Sequence, residues 1–368
     1  MRIDSRIQRN FGFGCMRLPM RDGEVDRGEM TRMVDAFLEA GFNYFDTAHG
    51  YLQGKSELAL RECLTSRYPR ECYVLTNKLS TQHFRKQEDI RPLFESQLEA
   101  CGVEYFDFYL MHAQNQERYE KFKACRAYET ALELLDEGRI RHFGISFHDT
   151  ADTLEQILKE NPRIEVVQLQ FNYVDYEDIS VQSRRCYELC RQYGKTVFVM
   201  EPVKGGSLVN LPEAAQKVFD DLQGNCSNAG YAIRFAAGFE GIEMVLSGMS
   251  SMEQMADNIS VMRDFRPLDS RERAAVEQVC DIFRSMKLIP CTACRYCTEV
   301  CPVDIAIPDL FACMNSKQLF TSRVGYYPVH SRKAKPSDCI GCGRCEAICP
   351  QKLPVRELLK NVAANLEK

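Results

Sequence analysis

The chain has 368 residues, of which 45% are hydrophobic and 27% are charged, and its formal net charge is −5 at pH 7. A chain of this length exceeds what one hydrophobic core organises, so we expect more than one domain. The composition is that of a globular protein, and no run of about 18 apolar residues is present to span a bilayer.

The first ten residues mix charged and apolar side chains, with no apolar segment behind a basic start. Such a start does not resemble an export signal, so we expect a soluble, cytoplasmic protein. In that compartment eighteen cysteines favour metal ligation or thiol chemistry over disulfides. Eight stand in two tight groups near the end. We expect the other ten, such as Cys63, Cys101 and Cys190, to be buried core residues.

Eight short apolar runs, typical of β-strands, alternate with amphipathic stretches before residue 280. Helices are predicted over Asp26–Ala40, where apolar residues recur at helical spacing, and near Asn228–Ala237. Eight strand-helix units predict an α/β fold, a (β/α)8 TIM barrel, over residues 1–280. The predicted strands are Phe11–Met16, Asn43–Asp46, Tyr73–Lys78, Phe106–His112, Arg141–Phe147, Val166–Phe171, Thr196–Glu201 and Met244–Gly248.

Polar residues end several of these predicted strands. Four of them, separated by 32, 34 and 34 residues, are Asp46, Lys78, His112 and Ser146. A barrel places such positions around one rim, where the catalytic residues of this fold lie, and Tyr51 would lie on an adjoining loop. Each has another interpretation alone: a structural ion pair, a buried histidine or a surface tyrosine. Their occurrence together favours a catalytic site.

The eight clustered cysteines form two runs of identical spacing, C-x2-C-x2-C-x3-C-P, the pattern of two-cluster ferredoxins. In that pattern the fourth cysteine of each run ligates the other cluster. The predicted ligands are Cys291, Cys294, Cys297 and Cys349 for one [4Fe–4S] cluster, and Cys339, Cys342, Cys345 and Cys301 for the second. Two zinc sites are the alternative, which two identical four-cysteine runs disfavour.

These clusters predict a ferredoxin-like, mainly α-helical iron-sulfur domain over residues 281–368, with a helix-like apolar pattern at Ile307–Phe320. This region holds thirteen Lys and Arg against eight Asp and Glu, whereas the preceding part is acidic. A basic tail can indicate nucleic-acid binding. Two clusters of about −2 charge each nearly cancel the excess, so we expect no nucleic-acid partner and no membrane partner.

The predicted rim resembles the aldo-keto reductase family. The match extends over roughly residues 11–265 and comprises Phe45-Asp46-Thr47-Ala48-His49-Gly50-Tyr51, Thr76-Asn77-Lys78, Tyr109-Leu110-Met111-His112 and Gly144-Ile145-Ser146. With its tail included, the chain resembles the iron-sulfur branch of that family. The resemblance implies an oxidoreductase that uses NAD or NADP to reduce a small carbonyl compound or to oxidise an alcohol.

The resemblance also implies a catalytic tetrad of Asp46, Tyr51, Lys78 and His112. Tyr51 would donate the proton in reduction, and the ammonium of Lys78 would favour the phenolate. Asp46 would keep the Lys78 ammonium charged, and His112 would form a hydrogen bond with the carbonyl oxygen of the substrate. The implied cofactor contacts are Gly14, Cys15, Met16, Ser146, Gln168, Met200, Ser247, Gly248, Gln254 and Asn258.

Two positions depart from the family pattern. Met200 stands where a tyrosine usually stacks on the nicotinamide, and a thioether can pack on a ring in its place. Gln254 stands where NADPH-using members often carry an arginine. Because Gln has no charge, this position does not distinguish NADH from NADPH as the cofactor. No G-x-G-x-x-G run follows a predicted strand, so a Rossmann domain is not expected.

Two functions are compatible with these patterns. The first is carbonyl reduction with a nicotinamide, the clusters passing electrons to or from a protein partner. The second is an electron-transfer or partner-docking module in which the barrel is a non-catalytic scaffold. Four mutually dependent groups at one rim favour the first. A purely structural role of the clusters is a further alternative.

Overall fold

The computed structural model describes residues 3–178, 181–224, 226–286, 288–319, 331 and 333–367. It divides into two compact units. The barrel unit comprises Met1–Pro202 and Ala229–Asp269, and the cysteine unit comprises Val203–Asn228 and Ser270–Lys368. A domain boundary after residue 280 stays a prediction, since the cysteine unit also takes a segment from within the barrel sequence.

Eight parallel strands form a closed barrel. Each barrel strand pairs with the next one along the chain, and the last returns to the first, with Gly14 opposite Gly248. This is the TIM-barrel topology. The barrel strands are β1 Phe11–Gly14, β4 Tyr44–Asp46, β5 Val74–Leu79, β6 Phe106–Gln114, β7 Ile140–Phe147, β8 Val166–Gln170, β9 Thr196–Met200 and β10 Ile242–Gly248, and a separate antiparallel pair is β2 Met20–Arg21 and β3 Glu24–Val25. All eight predicted strands are confirmed, each end within two residues.

Helices follow the barrel strands. Helix α1, Arg27–Glu39, turns Met30, Val34 and Phe37 into the core, and the Asp26 carboxylate caps it by accepting from the amide of Glu29. The pattern predicted for Asp26–Ala40 is therefore confirmed, as is the helix at Asn228–Ala237. The remaining helices before residue 270 are α2 Lys55–Leu60, α3 Ile90–Cys101, α4 Gln116–Ala124, α5 Ala127–Asp136, α6 Ala151–Glu160, α7 Ser183–Gln192, α8 Glu213–Asp220, α9 Asn228–Ala237 and α10 Met252–Arg263.

Apolar side chains fill the barrel near the starts of its strands. The rings of Tyr44, Phe108 and Phe198 lie 5.3–5.7 Å apart and form a cluster with Val74 and Met244. Packing of this kind closes the interior, so that polar groups are left at the opposite, C-terminal rim. Of the ten single cysteines, eight are buried, as expected of core residues, whereas Cys72 and Cys226 are partly exposed.

The cysteine unit is mainly helical, as predicted. Helix α13 packs against α15 around Leu310, Phe311 and Val362, and cysteines of both runs lie against this core. Its helices after residue 269 are α11 Ser270–Ser285, α12 Tyr296–Glu299, α13 Ile307–Leu319, α14 Arg344–Ile348 and α15 Val355–Leu366. The helix predicted at Ile307–Phe320 is α13, and Phe320 itself lies outside the described residues. Among the helices that the structure describes, none is long and apolar enough to cross a membrane.

Candidate functional site

A buried ammonium group lies at the centre of the C-terminal rim. Lys78 Nζ donates to Asp46 Oδ1 at 2.5 Å, to the carbonyl of Thr47 at 2.8 Å and to the Tyr51 hydroxyl at 3.2 Å. These contacts use all three donors of the ammonium. Asp46 is 4% exposed and Lys78 is 1% exposed. The fold thus brings together three residues that the sequence places up to 32 positions apart.

A second polar network holds the backbone that carries Lys78. Gln97 on α3 donates through Nε2 to the Lys78 carbonyl and to Asn77 Oδ1, both at 3.0 Å. Asn77 Nδ2 donates to Glu57 Oε1 at 2.8 Å, and Glu57 Oε2 lies 2.8 Å from His49 Nδ1. Sequence analysis did not identify Glu57 or Gln97. Asn77 lies within the Thr76-Asn77-Lys78 match, and its polar side chain was the feature of the sequence that could have indicated this network.

Tyr51 and His112 complete the rim. Tyr51 begins a 3-10 turn, Tyr51–Gly54, and its partly buried ring has Lys78 Nζ 4.7 Å from its centroid. Its ring meets the His112 imidazole edge-on, with centroids 5.8 Å apart. His112 lies on β6, and its Nδ1 is 2.6 Å from Ser80 Oγ. All four residues of the predicted tetrad therefore share one site, and Ser80 is a member that the sequence analysis missed.

Burial governs the protonation of this site. It raises the pKa of Tyr51 well above that of a free phenol, and the charge of Asp46 raises it further, while Arg17 opposes the change. The sequence predicts that Lys78 favours the phenolate, whereas loss of solvent moves the pKa of Tyr51 in the opposite direction. Tyr51 therefore holds its proton at neutral pH.

The pKa values of the neighbouring groups shift for the same reason. Burial lowers the pKa of Lys78 although Asp46 opposes the change, and burial raises the pKa of Asp46 although Lys78 opposes it. Burial, assisted by the charge of Lys78, also holds the pKa of His112 well below its usual range. His112 is therefore a neutral imidazole at neutral pH, with one nitrogen protonated.

Two predicted cofactor contacts, Ser146 and Gln168, lie opposite each other on β7 and β8. Ser146 Oγ accepts from the amide of Ala113 at 2.7 Å, which leaves its hydroxyl proton to donate. Gln168 Nε2 donates to Asp46 Oδ2 at 3.3 Å, which leaves its carbonyl oxygen to accept. A carboxamide offers the complementary acceptor and donor, so this pair fits the amide of a nicotinamide.

The end of β10 and the helix α10 that follows it hold four more predicted contacts. Gly248 ends β10, and Ser247 Oγ accepts from Asn258 Nδ2 at 3.0 Å. Ser251 caps α10, and the Gln254 side chain is exposed and turns back to accept from the Ser250 amide at 2.8 Å. The amides of Ser250, Met252 and Gln254 are therefore occupied, by Gln254 Oε1, Glu29 Oε1 and Ser251 Oγ.

The residues predicted to contact the cofactor at the end of β1 differ in their solvent exposure. Gly14 and Met16 are partly exposed, whereas Cys15 is fully buried with its thiol 3.5 Å from the Phe13 carbonyl. Burial raises the pKa of the Cys15 thiol, so it is not a reactive thiolate.

The segment that follows β9 carries a strained acidic residue. Met200 is partly exposed at the strand end, and Glu201 after it has a φ of 59°. Glu201 Oε1 lies 3.5 Å from Arg17 Nη2, and its buried Oε2 has no hydrogen-bond partner in the described part of the chain. The sequence analysis did not identify Arg17 or Glu201 as site residues. Their charged side chains at strand ends were the feature that could have indicated them.

The two cysteine runs fold alike. In the first run Ala293 and Arg295 have φ values of 54° and 66°, and at the equivalent positions of the second run Gly341 and Gly343 have 72° and 74°. Left-handed residues at these places wrap each loop tightly, and non-glycine residues adopt this conformation in the first run. Equal spacing has therefore produced equal backbone geometry, which fits two similar clusters.

The fourth cysteine of the second run lies beside the first run. Burial raises the pKa of Cys297, and the nearby thiols of Cys294, Cys291 and Cys349 raise it further. The proximity of Cys349 to the first run fits the predicted crossed ligation. Among the described residues, no group of three or more His, Cys, Asp or Glu side chains is arranged to hold a single metal ion. A cubane instead spreads its four thiolates over four irons.

Comparison with known proteins covers both parts of the chain. The aldo/keto reductase family model matches residues 10–281, and a 4Fe-4S dicluster domain model matches residues 290–353. The NADH-specific methylglyoxal reductase of Escherichia coli K12 is 26% identical over 291 residues, which are 66% of this chain and 86% of that protein.

Solved structures share the barrel. An aldo-keto reductase from Bacillus halodurans in its holo form is 24% identical, with a TM-score of 0.60 over 73% of this chain and 91% of that one. An aldo-keto reductase from Klebsiella pneumoniae in complex with NADPH is 20% identical, with a TM-score of 0.57 over 73% of this chain and 90% of that one. At these identities the likeness shows the fold alone. The family match over residues 10–281 goes further: the chain belongs to the aldo/keto reductase family and carries a C-terminal 4Fe-4S dicluster domain.

Proposed function

We propose that this protein reduces a small carbonyl compound, or oxidises the corresponding alcohol, with a nicotinamide cofactor and Tyr51 as the proton donor. The observation that carries the proposal is the contact of Lys78 Nζ with Asp46, the Thr47 carbonyl and the Tyr51 hydroxyl. It joins a phenol to a buried cation at the rim where this fold holds its catalytic groups. Ser146 and Gln168 would hold the nicotinamide, which would supply the hydride when bound.

The protonation states suit this chemistry. Because burial keeps Tyr51 protonated, its hydroxyl can give a proton to the carbonyl oxygen as negative charge develops there. The phenolate left behind is stabilised by the ammonium of Lys78. A neutral His112 can donate a hydrogen bond to the same oxygen from the nitrogen that does not face Ser80. In alcohol oxidation the same phenolate accepts the proton.

We also propose that the protein discriminates weakly between NADH and NADPH. Gln254 is exposed, uncharged and bonded to the Ser250 amide, so it offers no positive charge to a ribose phosphate. The relative from Escherichia coli is named as NADH-specific, whereas the Klebsiella pneumoniae structure contains NADPH. The two comparisons therefore favour different cofactors.

For the cysteine unit we propose two [4Fe–4S] clusters that exchange electrons with a protein partner. The second cysteine loop supports an external partner, because Cys342 is exposed and Ile340 is 66% exposed. Exposure of this kind also favours the rival function, an electron-transfer module in which the barrel is a scaffold. The complete set of contacts around Lys78 favours catalysis, since a scaffold does not require them.

The proposal is tested by turnover of the full chain, purified anaerobically, on a carbonyl panel that begins with methylglyoxal, using NADH and NADPH in turn. Tyr51→Phe is compared with Tyr68→Phe, a matched control whose hydroxyl donates to Asp35 in the helical layer at 2.6 Å. We expect turnover to fall on the order of 10²-fold or more in Tyr51→Phe alone. Equal turnover of the two variants would make the scaffold function the leading one, as would wild-type protein that reduces no carbonyl with either nucleotide.

A further inference from the structure

We infer that Ser80 sets the tautomer of His112, and thereby decides which imidazole nitrogen can donate to the substrate. The inference rests on the proposed function and assigns a positioning residue to it. Ser80 Oγ lies 2.6 Å from His112 Nδ1, and the two residues are 3% and 8% exposed. Water is thus largely excluded from this contact, and the serine hydroxyl is the hydrogen-bond partner of Nδ1.

The local structure explains why Ser80 reaches this position. Ser80 follows the last residue of β5, and its backbone remains extended, with φ −107° and ψ 133°. In an extended chain, side chains two residues apart lie on the same face. Ser80 stands two residues after Lys78, so its hydroxyl points to the same rim as the ammonium. Neighbouring β6 brings His112 to meet it.

The proposed reaction requires one direction of this hydrogen bond. His112 is neutral at neutral pH, so one ring nitrogen donates and the other accepts. A serine hydroxyl can take either role. When it donates to Nδ1, the proton of His112 stays on Nε2, which can then donate to a carbonyl oxygen. When it accepts from Nδ1, Nε2 carries a lone pair that repels that oxygen. Carbonyl reduction therefore requires Ser80 to be the donor.

Three substitutions separate these states. Ser80→Thr keeps the hydroxyl, Ser80→Ala removes it, and Ser80→Asp introduces an acceptor that draws the proton to Nδ1. The tautomer is read from the nitrogen chemical shifts of ¹⁵N-labelled holoprotein. The sequence contains six histidines, and a His112→Asn variant identifies the signal of His112. We expect Nε2–H in the wild type and in Ser80→Thr, and Nδ1–H in Ser80→Asp.

Kinetics provide the second measurement. Relative to wild type, kcat should stay within about threefold in Ser80→Thr and should fall by about 10²-fold in Ser80→Asp, the scale of one lost transition-state donor, with Ser80→Ala between them. The Kd for NADH should change less than about twofold in all three, because Ser80 acts through His112. A purely structural role would instead impair Ser80→Thr and Ser80→Ala alike.

Two results would overturn the inference: an Nδ1–H tautomer in wild-type protein, or a wild-type tautomer and kcat in Ser80→Ala. The nitrogen shifts need no turnover, so they decide the role of Ser80 even if no carbonyl is reduced. Absence of turnover in wild-type protein that shows Nε2–H would count against the proposed function alone.

Discussion

Replacing Lys78 by Met should destabilise the barrel by about 3–5 kcal/mol, the usual cost of removing one partner of a buried ion pair. Met preserves the length of the side chain and removes the ammonium. Asp46, 4% exposed, then keeps Gln168 Nε2 at 3.3 Å but has no counter-charge among its described contacts. The Thr47 carbonyl and the Tyr51 hydroxyl each lose their donor as well.

The loss should depend on pH. Burial already raises the pKa of Asp46, and removal of the opposing charge of Lys78 raises it further in the variant. A carboxyl group whose pKa is higher in the folded state than in the unfolded state contributes stability at low pH, and that stability is lost as pH rises through the folded-state pKa. The variant should therefore fall further below wild type at pH 8 than at pH 5.

The measurement is the urea midpoint at both pH values by far-UV circular dichroism, with hydrogen exchange in β4 and β5 to assign the loss to the barrel. The double variant Asp46→Asn, Lys78→Met is the matched control. It carries no buried charge at this site. Its urea midpoint should therefore be higher than that of Lys78→Met and should depend less on pH. Wild-type midpoints in Lys78→Met, or a double variant no more stable than the single one, would refute this account of the ion pair.

Three further predictions address the cofactors and the cysteine unit. Anaerobic protein should contain about eight iron atoms, and Cys301→Ser should remove the paramagnetic resonance signal of the second cluster; loss of the first alone would contradict the crossed ligation. Gln254→Arg should lower the Kd for NADPH but not for NADH in a fluorescence titration, and an unchanged NADPH value would place the phosphate elsewhere. Gly205→Ala should lower the urea midpoint more than Gly206→Ala, because a Cβ at Gly205 would lie 2.5 Å from the Thr292 carbonyl oxygen while one at Gly206 meets nothing within 4 Å. Both glycines have positive φ, so equal midpoints would show that the contact costs nothing.

The barrel could be predicted because its sequence signals are local and mutually consistent. The helical spacing of Met30, Val34 and Phe37 and the cap at Asp26 lie within one element, and each strand is an apolar run bounded by polar residues. The positions of Asp46 and Lys78 followed from the same pattern, since the C-terminal ends of parallel strands meet at one rim.

The supporting residues could not be predicted because their partners are distant in sequence. Glu57 binds Asn77 twenty residues away, and Ser80 binds His112 thirty-two residues away. Nothing in the residue types of Glu57 or Ser80 distinguishes them from surface polar residues. The alternation that places Ser80 on the face of Lys78 was visible, but its partner required the pairing of β5 with β6.

The direction of the pKa shift at Tyr51 shows a second kind of limit. The sequence indicates which charges approach the phenol, and from Lys78 alone a more acidic group follows. It does not show how much water the folded rim excludes, and here that exclusion decides the direction. The two effects act at different stages of the proposed reaction. Exclusion of water keeps the proton on Tyr51 until a carbonyl oxygen needs it, whereas the ammonium of Lys78 acts on the phenolate that forms as the proton leaves. A raised pKa in the resting site is therefore compatible with a proton donor, provided that the hydrogen bond from Lys78 persists through the transfer.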